Sequence, residues 1–149
     1  MIILALDIAS KTGWAVIDEY GKITRSGTEV FKDKERGAKL SSFMTWLSGM
    51  VSTYNPSCVL VEKPFFRGAG TRLLMPMVGI AELMAYRSGA AFLEVSNVTI
   101  KKYLTGNARA EKDDMIKAIR AKGYNPTDDN EADALALALY GFEKIEIDN

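Results

Sequence analysis

The sequence predicts an α/β protein built on a five-stranded mixed sheet, a three-stranded antiparallel meander plus two parallel strands, flanked by helices. Three observations lead there. Residues 2–6 and 58–61 are short, almost unbroken apolar runs, the pattern of strands covered on both faces. Elsewhere apolar residues recur at intervals of three and four over longer stretches, the pattern of helices laid against a sheet. Both apolar runs end on an acid, Asp7 and Glu62. In a parallel pair those ends lie side by side, at the edge where α/β sheets bind ligands.

Taken in order, residues 2–8 form the first strand and residues 14–18 the second, joined by a turn that contains Gly13. Tyr20-Gly21 makes a tight turn into a third strand over 23–30, which completes the meander. The first strand, the most apolar, belongs inside the sheet. Residues 35–54 carry Ala38, Leu40, Phe43, Met44, Leu47, Met50 and Val51 at helical spacing, and Asn55-Pro56 stops that helix. A short buried strand follows at 58–61. Residues 63–72 are too rich in glycine for regular structure, and 73–88 form a second helix in which Pro76 is tolerable only in the first turn or as a kink. Its Met75, Met77 and Met84 are expected in the core. Residues 90–95 form the fifth strand, Ser96-Asn97 caps a short helix through Leu104, and 106–110 are a loop. A basic amphipathic helix over 111–122 turns Met115, Ile116 and Ile119 inward, and Gly123 closes it. The last helix runs over about 129–142, capped by Thr127 or Asp128, with Ala132, Leu135, Ala136 and Leu139 as its buried stripe.

The 149 residues contain no internal repeat or low-complexity linker, so a single domain over 1–149 is expected. No apolar stretch reaches the roughly 18 residues of a membrane span, and the N-terminus lacks the features of a secretory signal, which predicts a soluble cytoplasmic protein. Cys58, the one cysteine, sits in an apolar segment and reads as a small core residue. There is no histidine, which excludes Ser-His, Cys-His and His-metal chemistry and leaves catalysis to carboxylates. Net charge is zero but uneven: residues 60–125 hold eleven cations against six acids, and residues 126–149 one against seven. A metal-dependent nuclease needs one region for phosphates and one for cations, and a solvated helix face gives the same count.

Asp7 is costly at the end of a buried strand unless donors or a cation meet it. Two explanations stand: backbone donors from the turn at 10–13, or a metal. Asp133 is a lone acid on a helix face of small apolar residues, with Asn130 and Asp129 one turn earlier pointing the same way. Hard oxygen ligands without His or Cys suit Mg²⁺ or Mn²⁺, and two such ions about 4 Å apart can drive phosphodiester cleavage. In the loop after Glu62, Phe65-Phe66-Arg67 with neighbouring cations reads either as base stacking flanked by phosphate contacts or as a hydrophobic plug.

With these pieces in view, the chain resembles the RuvC family of Holliday-junction resolvases, bacteriophage-type members included. The resemblance rests on Asp-Ile-Ala-Ser-Lys-Thr-Gly-Trp-Ala at 7–15, Val-Glu-Lys-Pro-Phe at 61–65 and Asn-Glu-Ala-Asp-Ala-Leu-Ala at 130–136, in that order. It implies an RNase H-like fold and a crossover junction endodeoxyribonuclease that nicks branched DNA with two ions of Mg²⁺ or Mn²⁺, acting as a homodimer. By the same resemblance Asp7, Glu62 and Asp133 are catalytic metal ligands, Phe65 lies near the junction centre, and Lys101 and Lys112 meet DNA, with Phe66, Arg67 and Lys102 beside them. One departure is Asn130, where the family usually has Asp or His: either its amide oxygen is a neutral ligand or Asp129 replaces it. Sugar kinases and actin-like ATPases share the turn after Asp7 but need a second such domain. RNase H-fold nucleases of the YqgF type, acting on RNA, and a branched-DNA-binding module that does not cut are the other readings.

Overall fold

A computed structural model describes residues 1–65 and 67–145. Its sheet has the order β3-β2-β1-β4-β5, with β1 at Ile3–Asp7, β2 at Lys11–Ile17, β3 at Ile23–Val30, β4 at Cys58–Glu62 and β5 at Ala91–Val95. The pairs β1–β2 and β2–β3 are antiparallel, and β1–β4 and β4–β5 are parallel, so the expected mixed sheet is present. As expected, β1 is central.

Alternate residues of the central strands feed two cores. On one face Ile3, Ala5, Cys58 and Leu60 pack under helices α3 (Asn97–Thr105), α4 (Lys112–Ala121) and α5 (Asp129–Lys144). On the other, Leu4, Leu6, Val59 and Val61 meet Phe43 and Leu47 of α1 (Arg36–Tyr54) and Met77 and Ala81 of α2 (Thr71–Ser88). Cys58 is fully buried, and burial pushes its thiol up to about 11, which leaves it an inert core residue.

Several sequence-based expectations need correction. Strand β2 begins at Lys11 rather than 14, because Lys11 to Gly13 already pair with β3; the turn tightens to residues 8–10. Asp18 is a turn residue, its carboxylate accepting from the N–H groups of Tyr20 and Lys22 at 2.9 Å each. Met44 and Met75 are exposed, because each sits on the outer side of a helix whose inner stripe is already filled. Pro76 lies beyond the first turn of α2, where its missing N–H forgoes the bond to the Arg72 carbonyl. On α5, burial extends past the expected stripe to Ala134, Leu137 and Ala138, because α3 and α4 cover the face that the sheet does not.

Candidate active site

The parallel register runs Ile3 to Cys58 through Leu6 to Val61, so Asp7 and Glu62 come next, side by side at the C-terminal ends of adjacent strands. Helix α5 brings the third acid. Its first turn lies on β2 at Gly13, the residue paired with Asp7: a Cβ at Gly13 would run into the Asn130 carbonyl and stand 3.1 Å from the Glu131 nitrogen. Only glycine permits that approach, and it is this approach that carries Asp129, Asn130 and Asp133 toward Asp7.

Two hydrogen-bonded acids clamp the start of α5 to β3. Asp128, its N-cap, accepts from Glu131 N–H at 2.8 Å and from the Thr28 hydroxyl at 2.7 Å. The buried Glu131 carboxylate accepts from the Ser26 hydroxyl at 2.8 Å and from both the N–H and hydroxyl of Thr127 at 2.9 Å. The cap is therefore Asp128, with Thr127 as donor to Glu131. Sequence reasoning passed over Glu131 as a positioning residue, although the Asp128-x-x-Glu131 spacing is a helix-start signature that points to it. Thr12 is also buried; its hydroxyl donates to Ala9 O at 2.6 Å and pins the turn after Asp7. Among the described residues no hydrogen bond ties the Asp7 carboxylate to that turn.

Charge is crowded here. Burial, and then the carboxylates of Glu62, Asp133 and Asp129, raise the Asp7 acid well above the ordinary range. Asp133 is pushed up to about 7, by burial first and then by Glu62 and Asp129, while Lys101 and Lys112 pull the other way. Lys112 Nζ lies 3.1 Å from Asp129 Oδ2, an ion pair with an exposed lysine that screening makes weak. Asp7, Glu62, Asp129 and Asp133 thus share one field with Lys101 and Lys112 at its rim. Lys102 is exposed and outside that group. Phe65 is 65% exposed beside the same edge, lining a small cavity with Ile8, Ser10, Arg67 and Thr71. Phe66 lies outside the described residues.

Among the described residues, no three acidic side chains converge on one point as a ready-made ion cage. Such a cage is not what Mg²⁺ asks for, since it keeps several waters and is held by one or two carboxylates together with substrate phosphates. The donor set is all oxygen, anionic and short of protein counter-charge, which fits a hard divalent cation.

The family described as crossover junction endodeoxyribonuclease RuvC matches residues 3–140. The chain belongs to the RuvC family. RuvC proteins of Brachyspira hyodysenteriae and Desulforamulus reducens are 31% and 32% identical to it over 93% of this chain and 92% and 91% of theirs. Among solved structures, RuvC of Thermus thermophilus superposes with a TM-score of 0.80 at 20% identity, covering 95% of this chain and 94% of that one. The same protein in complex with a Holliday junction substrate gives 0.80 at 17% identity, over 93% and 91% of the two chains. These likenesses bear out the RNase H-like fold, and nucleases of the RuvC family are metal-dependent.

Proposed function

We propose that this RuvC-family protein is one nuclease domain that nicks four-way (Holliday) junctions and other branched DNA in recombination or DNA processing. The observation that carries the reading is the gathering of Asp7, Glu62, Asp129 and Asp133 on one edge of the sheet, with Lys101 and Lys112 at its rim. In this reading Asp7, Glu62 and Asp133 hold Mg²⁺ or Mn²⁺, two ions per site. Asp129 supplies the fourth carboxylate in place of the neutral Asn130, because its charge already acts on both Asp7 and Asp133. The ions, when bound, supply an activated water and stabilise the leaving oxygen.

The protein's own residues do the positioning. Gly13 and the Asp128–Glu131 clamp set where the helix carboxylates stand, and Lys101 and Lys112 receive phosphates beside the scissile one. Phe65, exposed at the same edge, stacks on bases opened at the branch point, with Arg67 close by. Met75, Leu83 and Tyr86 form an exposed stripe on α2 and support a homodimer, which would cut two strands symmetrically. No described helix is long and apolar enough to cross a membrane, and we place the activity in the cytoplasm.

The test is nicking of synthetic four-way, forked and duplex DNA, and of RNA, with and without Mg²⁺ or Mn²⁺. Metal-dependent cleavage that favours the four-way junction is expected. Cleavage of RNA in preference, or binding of junctions without any cleavage under every metal condition, would overturn the reading.

A further inference from the structure

Helices α1 and α2 start beside one another, and a cavity of about 420 Å³ opens between their N-termini. Its wall carries Lys34, Arg36, Lys39 and Arg72, with Ala69 and Leu73, and no acid. Neither helix has a side-chain cap or an acid in its first turn; α1 carries Glu35 at its N-cap, outside the cavity wall, so it is chiefly the positive dipole end of α2 that adds to the four cations. Among the described residues none of these cations is ion-paired, the ion pair found there being Lys112–Asp129. The hydroxyl of Thr71, the first residue of α2, is buried without a hydrogen-bond partner and faces the neighbouring cavity beneath Phe65 rather than this one.

Like charges gathered this way repel unless solvent or an anion separates them. The cavity is no closed pocket: Lys34, Arg36 and Arg72 are exposed, which suits a chain of phosphates passing along the surface. It also leads to the carboxylates. It shares Leu73 with the smaller cavity beneath Phe65, which reaches Ala9 and Ser10 just after Asp7, and Lys39 Nζ lies 3.4 Å from Ser10 Oγ. This bank lies on the α1 and α2 face of the sheet, whereas Lys101 and Lys112 lie on the α3 and α4 face. The acids therefore stand between two separate basic banks.

We propose that Lys34, Arg36, Lys39 and Arg72 form a second phosphate-binding track, which holds the backbone of a DNA arm other than the arm being cut. The proposal rests on the junction-cleaving reading above. A linear duplex follows a single path past the carboxylates and engages one bank, while a branched DNA has arms for both. The track thereby contributes to the preference for branched over linear DNA.

The test is binding of a labelled four-way junction and of a linear duplex of the same sequence to the full chain, in EDTA, over a series of salt concentrations. The double variant Lys34→Gln/Arg72→Gln should lower the slope of log affinity against log salt by about 2 for the junction, near one per cation removed, and leave the duplex within about twofold. Lys101→Gln, on the other bank, should weaken both substrates. Circular dichroism and thermal melts check that the variants are folded. Equal losses on both DNAs, or none on either, overturn the proposal, as does a site that millimolar inorganic phosphate saturates while junction binding is unaffected. A wild-type protein that prefers the junction, with a double variant that keeps that preference, refutes the second track alone. A wild type with no preference overturns the junction reading and the track together.

Discussion

Replacing Asp133 by Asn should make the metal-free protein more stable at alkaline pH, although in the reading proposed above it removes a metal ligand. Burial first, and then the charges of Glu62 and Asp129, raise the acid from 3.8 to about 7, so the fold favours its protonated form. The sign follows: the stability this group contributes is fully present below pH 3.8 and is lost as pH rises through about 7, where the folded protein must carry an unwelcome charge. Roughly three pH units at about 1.36 kcal/mol each set an upper bound of about 4 kcal/mol. Asp133 is partly reached by solvent and its neighbours can relax, so about 2 kcal/mol is the working figure. For a chain of this length that amounts to a rise in Tm of about 4–8 °C. Calorimetry in EDTA should show this rise at pH 8 and almost none at pH 4. Saturating Mg²⁺ should narrow the gap, because wild type gains more from binding the ion than the variant does. An Asp133→Asn protein that melts with wild type or below it at pH 8 in EDTA would refute the claim that burial and neighbouring carboxylates disfavour the charged acid.

Gly13→Ala should push the first turn of α5 off β2, costing about 1–3 kcal/mol and lowering cleavage per folded molecule by more than about tenfold, read from melts and nicking rates in parallel. Glu131→Ala strips a partner from Ser26 and from Thr127, so a loss of about 1–3 kcal/mol is expected together with a higher Mn²⁺ requirement, and unchanged Mn²⁺ dependence would limit Glu131 to a structural part. In Mn²⁺ titrations of nicking rate, Asp129→Ala should shift the half-maximal concentration upward several-fold and Asn130→Asp should shift it little; the reverse pattern would make Asn130 the ligand. Phe65→Ala should slow cleavage of an intact junction more than of one with an unpaired centre, since the ring is free to stack in place of a base; equal slowing and a lower Tm would make it a packing residue.

Much of this architecture is local and therefore legible in the chain. The unbroken apolar runs ending in Asp7 and Glu62 identify two strands covered on both faces, and helical spacing identifies the layers that cover them. The acids themselves stand out because a carboxylate at the end of such a run, or on the small-residue face of α5, is costly without a role. Convergence is another matter, because residues more than a hundred positions apart carry no sign of their distance in a linear pattern. That Gly13 is the surface on which the Asn130 backbone rests, and that Ser26 and Thr28 anchor Glu131 and Asp128, are facts of packing between β2, β3 and α5. The same holds for burial all round α5, where a one-sided stripe was expected and α3 and α4 close the other side. The basic bank between α1 and α2 is a further case. Lys34 and Arg36 alternate in sequence with Asp33 and Glu35, so this stretch with the nearby Lys39 reads as ordinary solvated chain, and only the meeting of two helix N-termini brings Arg72 among them with no acid on the wall. Periodicity reports what each segment must bury, whereas the field at a site depends on which segments meet, and Coulomb forces act through space regardless of chain order.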